Sequence, residues 1–168
     1  VILATAQGMA ICFNENDVRC MGRDAAGVRG ISLNEGDYVV GAEKMEEGKT
    51  LLTVTENGYG KRTALPEYLR TGPDGEKIPQ SRGGKGLKNY NITPKTGNIA
   101  GCRVVGDNDD VMIIENGGVI IRVPAASINV YKRDVQGVIV MRVDEGNKVV
   151  SLERVEQDEE PEAQETQE

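Results

Sequence analysis

Leu51-Leu-Thr-Val-Thr-Glu-Asn-Gly58-Tyr-Gly-Lys-Arg-Thr63 decides the fold of this 168-residue chain. Apolar and β-branched residues run up to an Asn-Gly step and resume beyond it, which is the pattern of a two-strand hairpin around a tight turn. The same arrangement occurs twice more: Val1 to Gly8 leads into Met9 to Phe13, and Val111 to Gly117 leads into Val119 to Val123. Two further landmarks follow each hairpin in fixed order. One is R-x-x-x-G plus an aliphatic residue, at Arg23 to Val28, Arg82 to Leu87 and Arg133 to Val138. The other is an apolar strand, at Tyr38 to Ala42, Ile99 to Val105 and Val149 to Leu152.

The spacings from turn glycine to landmark glycine are 19, 28 and 20 residues, and from there to the last strand 14, 15 and 14. Order and spacing therefore hold three times apart from one insertion, Leu69 to Pro79, whose Gly-Pro and Asp-Gly steps predict a loop. Repeats of roughly 50 residues with about four short strands each are the signature of propeller-like blades. The expectation is an all-β, partial ring of about three four-stranded blades, with repeats near 1–48, 49–108 and 109–155 and an acidic tail from 156 to 168. Three blades do not close such a ring, which predicts an open arc, association of two arcs, or further blades upstream. The start in mid-pattern at Val1, without Met and without a basic leader, is read as a piece of a longer chain.

Composition removes whole classes of chemistry. With no His there is no imidazole base, ligand or neutral-pH switch. Cys12, Cys20 and Cys102 form no C-x-x-C pair, so neither a metal knuckle nor a disulfide framework is expected, and packed side chains in a reducing compartment are. Asp107, Asp109 and Asp110 read as a solvated turn rather than a catalytic cluster. No catalytic, cofactor-binding or metal-ligating residue is assigned, no membrane span is present, and the chain reads as soluble and cytoplasmic.

The net charge of −7 resolves by position. Seven acids and no base lie between Glu156 and Glu168, a composition that predicts disorder. What remains is neutral, with residues 61 to 103 carrying nine bases against three acids. Within that sector, Lys61 and Arg62 follow a hairpin turn, one expected on an outer rim and the other held by neighbours. Gln80-Ser-Arg82-Gly83-Gly84-Lys85-Gly86-Leu-Lys88 combines glycines, which let a backbone approach a ligand, with cations spaced for successive phosphates. It matches neither a Walker loop nor a dinucleotide fingerprint. The recurring Arg23, Arg82 and Arg133 either hold a blade corner by bonding carbonyls or line a rim with phosphate contacts. Arg29 and Lys132, beside these landmarks, join the candidates. An aromatic content of 4% argues against stacking on single strands, so a nucleic-acid partner would be duplex, held by its backbone.

The Glu56–Thr63, Gln80–Gly86, Met21–Ile31 and Arg133–Val138 segments together resemble the C-terminal domain of DNA gyrase A, over the chain to about residue 155. The resemblance implies a β-pinwheel whose basic outer edge wraps duplex DNA and so supports ATP-driven negative supercoiling. It implies as partners the rest of the gyrase A polypeptide and the gyrase ATPase. ATP and Mg would act elsewhere in the parent enzyme, in a bacterial, nucleoid-associated setting. The family's Q-R-R-G-G-K-G box lies in the first blade. Gln80–Gly86 has Ser81 at its second position and lies late in the chain, so it reads as a degenerate copy in a late blade. A topoisomerase IV C-terminal domain and a protein-binding scaffold are the alternative readings.

Overall fold

A computed structural model describes residues 1–156 of the protein. Thirteen strands form: β1 (Ile2–Thr5), β2 (Met9–Cys12), β3 (Val39–Glu43), β4 (Thr50–Thr55), β5 (Tyr59–Ala64), β6 (Arg70–Thr71), β7 (Lys77–Ile78), β8 (Leu87–Lys88), β9 (Ile99–Val105), β10 (Asp109–Glu115), β11 (Ile120–Pro124), β12 (Val138–Ile139) and β13 (Val149–Glu156). They assemble into antiparallel sheets ordered β3-β1-β2-β8, β12-β5-β4-β9 and β11-β10-β13, with β6-β7 as a separate hairpin. The all-β class expected from the repeat is the class observed. β13 runs through Glu156, and the rest of the expected tail lies outside the described residues.

Each hairpin turns on a glycine of positive φ: Gly8, Gly58 and Gly118. The third turn thus uses Gly118 where the spacing pointed to Gly117. All three donate their amide to the carbonyl three residues back, at Thr5, Thr55 and Glu115. Counted from Gly118, the distance to Gly137 equals that from Gly8 to Gly27, so the repeat is more regular in space than in sequence. The Leu69–Pro79 insertion, expected as a loop, folds into the β6–β7 hairpin, closed by the Gly72 amide donating to the Glu76 carbonyl.

Sequence repeat and structural blade do not coincide. β8, from the second repeat, pairs with β2 of the first (Met9 opposite Lys88, Ala10 opposite Leu87). β12, from the third, pairs with β5 of the second (Val138 opposite Gly60, Ile139 opposite Tyr59). Among the described residues, the second and third repeats therefore each lend their R-x-x-x-G segment to the blade before them. No strand among the described residues covers the outer side of β11, and Ile120 at its start and Val119 just before it are exposed.

The middle sheet is buried on both faces, which explains why β4 reads as a continuous apolar run rather than an alternating one. Leu51 points into a core with Ile2, Ala4, Tyr68, Cys102 and Val104, and Leu52 into a core with Val111, Ile113, Val149 and Leu152. β3, β9 and β13 pack against one another in series at the crowded inner edge. A Cβ on Gly41 would overlap the Cys102 Sγ, and one on Gly101 would overlap Leu152, so glycine at this repeat position lets neighbouring blades approach. The third copy has Ser151 there, with no further blade among the described residues to exclude it. Arg103 of β9 ties the same edge together, pairing with Glu43 of β3 at 3.5 Å and Glu153 of β13 at 2.8 Å.

Candidate nucleic-acid interface

The opposite, outer edge is built from the lent segments. Gly83 donates its amide to the Gly30 carbonyl at 2.8 Å, Ser32 donates its amide to the Gly84 carbonyl at 2.9 Å, and the Ser32 hydroxyl donates to the Gly83 carbonyl at 2.7 Å. Gly86, at φ +77°, lies against the Ala10 carbonyl, and Gly137, at φ +74°, lies against the Gly60 carbonyl. Gly86 and Gly137 bring the chain close to the preceding blade. The backbone beyond each is fixed alike: the amides of Asn89 and Tyr90 both donate to the Gly8 carbonyl, and those of Val140 and Met141 to the Gly58 carbonyl.

The two accounts of the repeated arginine now separate. Arg82 donates to the carbonyls of Asp17 at 3.0 Å and Arg29 at 2.5 Å, and Arg133 donates to the Lys88 carbonyl at 3.0 Å. Arg29 and Lys88 occupy the same repeat position, two residues past the landmark glycine. Each arginine thus clasps the lent segment of the repeat before it, and links the outer edge from blade to blade. Arg82 and Arg133 are half-buried, whereas Arg23, whose counterpart carbonyl would belong to an earlier repeat, is exposed.

Lys61 and Arg62, one expected on the rim and the other held by neighbours, both have buried side chains. The Lys61 ammonium donates to the Lys132 carbonyl at 2.7 Å and the Arg133 carbonyl at 2.5 Å, and stands 5.1 Å from the centre of the Tyr90 ring. Tyr90 in turn donates its hydroxyl to the Gln136 carbonyl. Arg62 donates to the Ile128 carbonyl at 2.7 Å and pairs with Asp107 at 2.5 Å. Both side chains seat the 128–139 segment on the second blade. Their equivalents in the first repeat are Ile11 and Cys12, so comparison of the copies could have marked this column as interior.

Burial pushes Lys61 down to about 7 from its ordinary value, against the weaker opposing fields of Asp134 and Glu67. Since the folded chain prefers the neutral amine, the unfolded chain binds the extra proton between pH 7 and the ordinary lysine value. Stability therefore rises with pH across that window. Chemical denaturation of the wild type and Lys61→Met from about pH 6.5 to about 10 checks this: the wild type gains stability relative to the variant as pH rises.

Lys85, Lys88, Arg29 and Lys132 remain on the exposed outer edge, with Arg23 beyond them. Lys88 Nζ donates to Asn91 at 3.1 Å, and none of the other four forms an ion pair among the described residues. Asp109 and Asp110, expected to be solvated, are buried: Asp109 accepts the Gly106 amide at 2.7 Å, and Asp110 pairs with Arg122 at 2.6 Å. The thiols of Cys12 and Cys102 are buried and raised by desolvation, Cys102 to about 12, which suppresses the thiolate. Cys20, expected to be packed, is exposed.

The family model for the DNA gyrase C-terminal domain, a beta-propeller, matches residues 1–44, 49–78, 76–106 and 109–156. The DNA gyrase A protein of Staphylococcus epidermidis is 41% identical over 157 residues, 92% of this chain and 17% of that protein. The chain therefore spans about a sixth of the length of such curated relatives. A crystal structure of the C-terminal domain of DNA topoisomerase IV superposes with a TM-score of 0.81 at 27% identity, over 92% of this chain and 46% of that one. A structure of the DNA gyrase A C-terminal domain does so with a TM-score of 0.80 at 28% identity, over 91% and 49%. Three sheets linked by lent outer strands, together with these matches across nearly the whole described length, identify the chain as a member of the DNA gyrase C-terminal domain family.

Proposed function

We propose that the protein binds duplex DNA through its phosphate backbone along the outer edge, and serves as a DNA-wrapping module of a gyrase A protein. The observation that carries this reading is the placement of Arg29, Lys85, Lys88 and Lys132 in or beside the R-x-x-x-G segments of the three repeats, exposed and, among the described residues, free of carboxylate partners. Cations repeated along one edge suit a ligand that repeats its charge, and a rim that contacts only backbone tolerates most sequences. The bend imposed on such a duplex is a deformation that phosphate contacts must offset.

In the parent enzyme this module presents a DNA segment to the strand-passing core, and supports ATP-dependent negative supercoiling. Its partners in the bacterial cytoplasm are the rest of the gyrase A polypeptide and the gyrase ATPase. The chemistry, with its ATP and Mg, resides in those other parts, and this chain contributes binding without a catalytic residue or cofactor of its own. The close superposition on the topoisomerase IV domain supports a second reading, capture of DNA without chiral wrapping. Nicked-circle ligation with increasing protein separates the two: a shift in linking number supports wrapping, and unchanged topoisomer distributions alongside binding support simple capture.

A further inference from the structure

The β6–β7 hairpin has no counterpart in the other repeats. In the first and third, the chain runs from a short 3-10 turn (Glu15–Asp17, Ala125–Ser127) directly into the landmark arginine, whereas in the second the hairpin intervenes between Leu65–Tyr68 and Arg82. The hairpin raises one wall of an open cleft of about 520 Å³. Its opposite wall is Leu87 of the lent strand β8 together with Arg133. Arg70, Lys77 and Arg133 line the cleft against a single carboxylate, Glu67, over a floor that includes Leu69.

We propose that this cleft, formed where the second repeat's hairpin faces the outer strand of the first blade, is an additional seat for the sugar-phosphate backbone of a duplex. The inference rests on the duplex-binding reading above, and extends it to residues outside the Gln80–Lys88 loop. Three features carry it. The cation excess inside the cleft favours a polyanion, and its apolar floor suits the sugar faces between phosphates. The cleft is also continuous with the outer edge, because Arg133 is anchored to the Lys88 carbonyl, on the strand that carries the exposed Lys88 side chain. Lys77 is held in place by donating to the Thr71 hydroxyl at 3.1 Å, across the hairpin. A backbone leaving Lys88 toward the hairpin meets Arg133 first, and then Arg70 and Lys77.

The test compares the wild type with Arg70→Ala/Lys77→Ala and with Glu67→Gln, using a duplex several helical turns long over a salt series. Arg70 and Lys77 are exposed, so the double variant keeps its melting temperature. The double variant is expected to bind about tenfold more weakly at moderate salt, with a salt slope smaller by about two. Glu67→Gln is expected to bind about twofold more tightly. A double variant that matches the wild type in affinity and slope overturns the seat while leaving the duplex reading intact. Absence of duplex binding by the wild type overturns the reading on which the seat rests.

Discussion

Gly86→Ala destabilises the chain by about 3 kcal/mol or more, while Gly27→Ala costs about 1 kcal/mol. Both glycines occupy the same repeat position and both have positive φ, +77° and +81°, so the left-handed backbone penalty is common to them. They differ in what a Cβ would meet. At Gly86 it would overlap the Ala10 carbonyl and crowd the Ile11 amide, backbone atoms of β2 that cannot rotate away, and at Gly27 it meets open space. Relief at Gly86 requires β8 to lift off β2, which loses the Met9–Lys88 and Ala10–Leu87 pairing. Gly137, pressed against the Gly60 carbonyl, behaves as Gly86 does. Equilibrium denaturation of the three variants measures the contrast, and equal losses at Gly27 and Gly86 would show that the lent strands do not hold the blades together.

Lys85→Ala/Lys88→Ala lowers duplex affinity by at least about tenfold and the salt slope by about two, with little change in melting temperature. Arg82→Ala behaves in the opposite sense. Its guanidinium is engaged by the Asp17 and Arg29 carbonyls, so its loss loosens the 17–32 segment and costs about 1–2 kcal/mol of stability. Its effect on affinity comes through the placement of Arg29, and the salt slope moves little. Parallel titration and thermal melting of the two variants separates a phosphate contact from a residue that positions one. If Arg82→Ala removes as much slope as a lysine does, the arginine faces the DNA after all.

The repeat is legible in the sequence because three physical requirements recur at fixed spacing: a positive-φ turn, a strand packed against a neighbour's carbonyl, and an inner strand with room for the next blade. The third copy carries Ser151 at the glycine position, where no further blade packs against it among the described residues. The exchange of outer strands is hidden. β8 and β12 are two residues each, too short to carry a periodic signal, and their pairing partners lie in another repeat.

The same exchange obscures Lys61 and Arg62. Charged residues on a strand read as exposed unless the covering segment is known, and here residues 128–139 of the following repeat cover both. Conversely, Arg23, Arg82 and Arg133 look alike in sequence, and only the donor-acceptor geometry shows that two of them clasp a neighbour's carbonyl. Charge counting therefore locates the basic sector but overcounts it. Lys61, Arg62 and Arg103 sit inside, and the outer edge draws instead on Arg29 and Lys132 from the flanking repeats. The turn residues of the Leu69–Pro79 insertion mark its place, while its two-residue strands escape detection for the same reason of length.

The most direct test of a phosphate-reading outer edge is the affinity of the wild-type chain for a mixed-sequence duplex of several helical turns, measured across a salt series. Five exposed cations on the edge, Arg23, Arg29, Lys85, Lys88 and Lys132, contribute roughly −4 to −5 to the slope of log K against log salt, and the cleft pair Arg70 and Lys77 about −2 more, unchanged when the sequence is scrambled. A slope near zero, or affinity that depends on base sequence rather than on salt, would contradict the account.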